Sequence, residues 1–197
     1  MFDLIIKNGD VIDGSNSARI RADIGIVGDK IEHIGLLDDA TGRHEIDAQG
    51  KIVCPGFIDV HTHSDGWLLR EPNFISKTSQ GFTTEALLAD GISYAPLSQQ
   101  TAREWMYYMH ALNGLQFEHY EGWKSVAEYM ELFNGRTSQN VIPHVPYANV
   151  RTLACGFGRM GPDDVQMNHI VYEIEKGMDA GAVGLSTGLD YLSLIHI

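Results

Sequence analysis

Up to about Lys51 the apolar positions come in short runs broken by turn residues, and beyond it they lengthen and alternate with helical periodicity. Residues 4–7, 23–27 and 30–34 read as β-strands, punctuated by Gly14-Ser15, Gly28-Asp29 and the stretch 36–42. This pattern predicts turn-linked antiparallel sheet, with Val27-Gly28-Asp29-Lys30 as a tight hairpin. Past Lys51 the reading changes to strands at 52–60, 83–88, 141–144 and 182–185, with helices over 67–80, 98–112, 123–133 and 162–180 between and before them. Strand and helix in alternation predict parallel α/β structure. The run 52–60 shows little alternation, as a strand buried on both faces would, which makes Cys54 a buried packing residue. The last helix has the sharpest pattern. Met167, Ile170, Val171, Ile174 and Met178 share a face, Asp163 and Asp164 suit the first turn, and Gly181 follows the end. In the helix over 98–112, Trp105, Met106, Tyr107, Tyr108 and Met109 read either as a hydrophobic binding face or as core or subunit contact, and core is the expectation.

Charge narrows the partners. The 197 residues carry 14 Lys and Arg against 26 Asp and Glu, a formal net charge of −12, which argues against nucleic acid or an anionic membrane surface. Cys54 and Cys155 form no spaced pair, so neither a disulfide framework nor a four-cysteine zinc site is expected, and Cys155 reads as a loop thiol. The amino terminus has no basic stretch followed by a long apolar one, and no apolar run reaches about 18 residues. Cytoplasmic residence is the expectation.

Candidate chemistry concentrates where the first long apolar run ends, at Pro55-Gly56-Phe57-Ile58-Asp59-Val60-His61-Thr62-His63-Ser64-Asp65. On a strand, residues two apart face the same way, so His61 and His63 reach one point while Thr62 turns aside. The pair suits a metal ion, but a bare His-x-His is weak evidence and by itself reads first as a polar strand end with solvated imidazoles. Asp59 shares the parity of the histidines and either orients an imidazole from behind or holds the loop. Asp65 and Ser64 read as loop or cap residues.

Wider segments carry a resemblance. The opening Phe2-Asp3-Leu4-Ile5-Ile6-Lys7-Asn8-Gly9 through Gly14, with Pro55-Gly56-Phe57-Ile58-Asp59 and His61-Thr62-His63, resembles the start of the metal-dependent amidohydrolases. Gln80-Gly81-Phe82-Thr83-Thr84, Gly91-Ile92-Ser93-Tyr94-Ala95-Pro96, Trp123 with Val126-Ala127-Glu128-Tyr129, and Gly184-Leu185-Ser186-Thr187-Gly188-Leu189-Asp190-Tyr191 resemble the N-acyl-D-amino-acid deacylase (D-aminoacylase) branch. The resemblance implies an α/β fold, the first half of a (β/α)8 TIM-type barrel over 54–191, preceded over 1–53 by part of a small β-sandwich. It implies zinc as cofactor, as one or two ions, with other divalent metals admissible, and His61 and His63 as ligands. Where that branch commonly has a cysteine this chain has Asp90, which either completes the ligand set or caps the following turn. Segment 184–187 has no lysine, which disfavours the subtype that bridges its metals through a carbamylated lysine. Ser186 and Thr187 are pocket or second-layer candidates, and His144 a polar pocket residue.

The implied reaction is hydrolysis of the amide bond of an N-acyl-D-amino acid, giving a carboxylate and a D-amino acid; the substrate is a small molecule. A cyclic-amide hydrolase of dihydroorotase or hydantoinase type, and a non-catalytic binding or oligomerisation fragment, are the alternatives. A complete barrel takes about 250 residues, so the remaining histidines and the acid/base aspartate are expected past residue 197, no catalytic acid/base is assigned within the chain, and the chain by itself is expected to be inactive. Residues 192–197, Leu-Ser-Leu-Ile-His-Ile, match the translation of a transposon end used in preparing sequencing libraries and are expected to be read-through.

Overall fold

The structure is a computed structural model that describes residues 1–158 and 161–188. The expected tail 192–197, and Asp190-Tyr191 of the quoted motif, lie outside the described residues. The chain divides into two compact units, Met1–Gly56 and residues 57 onward.

The first unit is a single mixed sheet of β1 (Phe2–Val11), β2 (Ile20–Val27), β3 (Lys30–Gly35), β4 (Gly42–Asp47) and β5 (Ile52–Val53). The hairpin at Gly28-Asp29 forms as its turn residues predict, pairing Val27 with Lys30. Its Gly28 N–H is tied to Asp3 Oδ2 at 2.8 Å. The expectation of purely antiparallel sheet is corrected: β1 pairs antiparallel with β2, but parallel with β4 and β5. The strand β4 lies in a segment whose charged residues, Arg43, His44 and Glu45, hide it from hydrophobic periodicity. β1 carries an irregularity between Ile6 and Gly9, with Asn8 at φ 61°. The Asn8 N–H freed by it donates to Asp23 Oδ1 at 2.7 Å, so a carboxylate replaces the lost ladder bond. Val11, Ala22 and Ile24 form the small core.

The second unit opens with β6 (Phe57–Asp59), short helices α1 (Trp67–Arg70) and α2 (Ile75–Thr78), and β7 (Phe82–Leu87). A 3-10 turn at Ala89–Gly91 leads to α3 (Gln99–Asn113), and α4 (Val126–Glu131), β8 (Asn140–Pro143) and β9 (Val145–Pro146) follow. The chain continues through α5 (Tyr147–Cys155), α6 (Asp164–Asp179) and β10 (Leu185–Ser186). β6, β7 and β8 pair parallel in that order, and β9 pairs parallel with β10.

The single buried strand expected over 52–60 is two strands in two sheets. Pro55, which lacks an N–H, and Gly56 break the run: β5 pairs with β1 and β6 with β7, each on one side only among the described residues. Ile52, Phe57, Ile58 and Val60 are consequently more than half exposed, and Cys54 is exposed rather than packed.

Ser98 starts α3 with a reciprocal cap: its Oγ accepts the Thr101 N–H at 3.1 Å while Thr101 Oγ1 accepts the Ser98 N–H at 3.0 Å. Ser98→Ala is expected to cost about 1 kcal/mol of stability, read as a lower denaturant midpoint with an unchanged slope. Trp105, Met106 and Met109 lie fully buried with Leu87, Leu88 and Tyr94, but the core expectation fails for Tyr107 and Tyr108, which face solvent because five consecutive helical positions cannot share one face. The helix α5 is absent from the sequence-based pattern; Gly156, at φ 68° just past Cys155, is the stop signal that marks it. Cys155 thus ends a helix rather than sitting in a loop. On α6 the buried line runs through Ile170 and Gly177, with Ile174 partly buried, leaving Met167, Val171 and Met178 nearly half exposed. Gly177 rotates the contact face, because its missing side chain is what lets the helix back onto Val145.

Candidate metal centre

The two histidines lie in the bend that follows β6, not on the strand itself. Strand parity therefore does not aim them; the loop does. Thr62 between them is buried, its Oγ1 3.0 Å from Ser64 Oγ and 3.4 Å from Lys77 Nζ. Ser64 in turn donates to the fully buried carboxylate of Glu85, which also accepts Gln139 Nε2 at 2.6 Å. Lys77 makes an ion pair with Asp59, and Asp59 Oδ1 accepts the backbone N–H of His61 at 3.2 Å. Burial pushes the Asp59 carboxyl up, but the Lys77 ammonium and the His61 N–H outweigh it and hold the group below its ordinary value. Asp59 thus fixes the backbone of the loop and not an imidazole ring.

The opposite wall is the turn after β7. Leu88 and Asp90 both have left-handed backbone, at φ 62° and 55°, and Gly91 follows at φ 78°. Non-glycine residues in that region cost on the order of 1–3 kcal/mol each and persist only where the surroundings hold them. Asp65, with no exposed surface, holds one end: its Oδ1 accepts Leu88 N–H at 3.0 Å and the Ser93 hydroxyl. Burial pushes the Asp65 carboxyl up, opposed by Ser93, by backbone N–H groups and by His63. Asn149 on α5 anchors the far end, its side chain accepting Ser93 N–H and donating to Ser93 O, both at 2.8 Å. Tyr129 donates to Asp65 O at 3.0 Å, and its hydroxyl is held well above the ordinary phenol range by burial and by Asp65 and Tyr94.

Between these walls His61 Nε2 and His63 Nε2 each stand 3.2 Å from Asp90 Oδ2. The three groups are the cluster among the described residues that could hold a metal ion, with ligand atoms within 4.8 Å of one another. They fit a divalent ion: Zn–N and Zn–O bonds of about 2.0–2.2 Å place tetrahedral ligand atoms roughly 3.3 Å apart, close to the two histidine–aspartate spacings present. His63 Nδ1 is buried and has no hydrogen-bond partner among the described residues, so nothing there competes for orientation of the ring.

The other sequence candidates fall elsewhere. His144 donates Nδ1–H to Leu87 O at 2.9 Å and takes no part in the cluster. Thr187 is exposed, its backbone lying against Gly91. Ser186 reaches the Asp90 turn directly, accepting Gly91 N–H at 3.0 Å and donating to Leu88 O at 2.5 Å. Sequence reasoning missed Lys77, Glu85, Ser93 and Asn149. Glu85 alone left a signal, the one charge in an otherwise uncharged strand.

Residues 44–192 match the profile of the Amidohydrolase family. The D-aminoacylase of Alcaligenes xylosoxydans xylosoxydans is 34% identical over 191 residues, spanning 96% of this chain and 38% of that protein. The crystal structure of N-acyl-D-glutamate deacylase from Bordetella bronchiseptica, complexed with zinc and a phosphonate inhibitor, superposes with a TM-score of 0.84 at 34% identity, covering 96% of this chain and 39% of that one. A D-aminoacylase structure concerned with its binuclear metal centre gives a TM-score of 0.86 at 31% identity, covering 100% and 40%. This chain therefore spans well under half the length of these relatives.

Proposed function

Because the chain belongs to the amidohydrolase family, we propose that it forms the metal-binding front part of a zinc-dependent enzyme that hydrolyses N-acyl-D-amino acids to a carboxylate and a free D-amino acid. The observation that carries this reading is the convergence of His61 Nε2 and His63 Nε2 on one oxygen of Asp90, each at 3.2 Å. Two imidazoles and a carboxylate are a donor set suited to a catalytic zinc, which keeps a position open for water or substrate. A zinc ion bound there supplies Lewis acidity towards an amide carbonyl and acidifies water for its attack.

The chain's own residues prepare that site. His61 and His63 would offer Nε2 to an ion bound there, and the Asp90 carboxylate would offset part of its charge. Lys77 neutralises Asp59 beneath the histidine loop, so the loop is pinned without a second free carboxylate competing for the ion. Asp65 and Asn149 hold the carboxylate-bearing turn from below. We assign the catalytic acid/base to no described residue. In the same reading, β6, β7, β8 and β10 are the first strands of a (β/α)8 barrel occupying 54–191, residues 1–53 belong to a β-sandwich, and the histidines and Asp90 follow the C-terminal ends of β6 and β7, where such barrels place their chemistry. The parallel order β6-β7-β8 supports it.

The test is made on the protein that carries this chain at the length of its relatives. Zinc-loaded protein offered N-acetyl derivatives of D- and L-amino acids is expected to release the D-amino acid, detected with a D-amino-acid oxidase assay. Release from neither enantiomer, with zinc bound stoichiometrically, would refute the reaction; activity on cyclic amides instead would support the hydantoinase-type alternative.

A further inference from the structure

We propose that Ser186 is a positioning residue for the metal centre, acting through Asp90. The inference rests on the reading of Asp90 as a ligand and adds a residue distant from it in sequence. Asp90 sits at the crest of a turn whose backbone is left-handed at Leu88, Asp90 and Gly91. A turn of this kind does not hold itself, because each non-glycine residue in it relaxes downhill once released. Its exit N–H, at Gly91, and its entry carbonyl, at Leu88, are both taken by one atom, the Ser186 hydroxyl oxygen. That oxygen accepts from one side and donates to the other, a use of both its capacities that no alkyl side chain reproduces. The two bonds close a ring around Asp90 that β10 supplies from outside the turn, 95 residues on from Gly91.

The backbone agrees with the side chain. A Cβ on Gly91 would stand 2.9 Å from Thr187 Cα and 3.1 Å from Ser186 O, so turn and strand are in direct backbone contact with no side chain between them. Loss of the hydroxyl leaves Leu88 O and Gly91 N–H without these partners and lets the turn relax, moving the Asp90 oxygen away from the point that His61 and His63 share. Ligand-orienting groups of this kind are worth about ten- to a hundredfold in metal affinity.

The measurement is a cobalt(II) titration of the chain, followed by the visible ligand-field bands, in wild type, Ser186→Ala, Ser186→Thr, Asp90→Asn and the Asp90→Asn/Ser186→Ala double variant. Circular dichroism confirms that each is folded. Ser186→Ala is expected to bind cobalt about ten- to a hundredfold more weakly and with shifted bands at saturation. Ser186→Thr, which keeps the hydroxyl, is expected to recover most of the affinity. In the Asp90→Asn background the alanine change is expected to add little, since both act on the same ligand. Equal affinity and spectrum in wild type and Ser186→Ala would overturn the positioning role and leave the metal reading standing. Additive losses in the double variant would overturn the route through Asp90. No cobalt binding by the wild type would overturn the metal reading itself, and the role of Ser186 with it.

Discussion

Replacing His63 with alanine is expected to lower the chain's zinc affinity by more than about a hundredfold, because removing a ligand must exceed the ten- to hundredfold cost of removing a group that only orients one. His63 is the better buried of the two histidines, its side chain 19% exposed against 60% for His61, so water replaces it less readily. The variant is expected to fold. Among the described residues the imidazole's one hydrogen-bond contact is at Asp90, and the loop that carries it is held by Thr62, Ser64 and Asp59 through bonds the substitution leaves in place. Competition against a chelating zinc indicator measures the affinity, and a thermal melt taken beside it separates loss of metal from loss of fold. His61→Ala is expected to follow the same direction. An unchanged zinc affinity in His63→Ala would remove the site assignment, and with it the basis for amide hydrolysis by this centre.

The second large effect lies in the core. Trp105→Ala is expected to destabilise the second unit by about 3–5 kcal/mol, lowering its melting temperature by roughly 6–20 °C. The indole is fully buried, packs against Phe157 with centroids 5.6 Å apart, and donates Nε1–H to Thr152 Oγ1 at 2.9 Å. The consequence is not confined to packing. Thr152 donates to Asn149 O at 2.8 Å, Asn149 grips Ser93, and Ser93 reaches Asp65, which holds Leu88 at the start of the ligand turn. Differential scanning calorimetry gives the stability. A Trp105→Phe variant, which keeps most of the volume and loses the N–H, tests whether the hydrogen-bonded chain matters separately. A melting temperature within a degree or so of wild type for Trp105→Ala would mean that the cavity collapses at no cost, contrary to a core packed at the density of protein interiors.

How much of this was legible beforehand depends on the kind of signal. His61 and His63 stand out because their spacing is local, and the expected convergence is present although the loop rather than strand parity produces it. Asp90 was visible only through resemblance; nothing in Leu-Ala-Asp-Gly distinguishes a ligand from a turn residue, and its left-handed backbone is a property of the folded loop. Helix α3 was read almost to its ends, 98–112 against Gln99–Asn113, and Ser98 and Gly114 cap it in the structure. By contrast α5 begins straight after β9 at Pro146 with no capping side chain, so its start carries no local mark. The run 52–60 misled because apolar density reports what a strand is able to bury, while partners in the sheet decide what it does bury. The supporting groups Lys77 and Asn149 were beyond local reading altogether, since each meets its partners 15 to 56 positions away, and the charge of Glu85 marked the residue without marking its partners.

The left-handed backbone at Asp90 passes a double filter on what substitution can achieve there. A thiol or a longer carboxylate offers a donor atom but has no special tolerance for φ near 55°. Asparagine tolerates the conformation and forfeits the charge. Aspartate satisfies both demands, with histidine next in line at greater bulk. Swapping one metal for another at this position by exchanging the donor is thus coupled to the conformation of the loop, and a softer donor placed on this backbone carries a conformational cost that aspartate is spared.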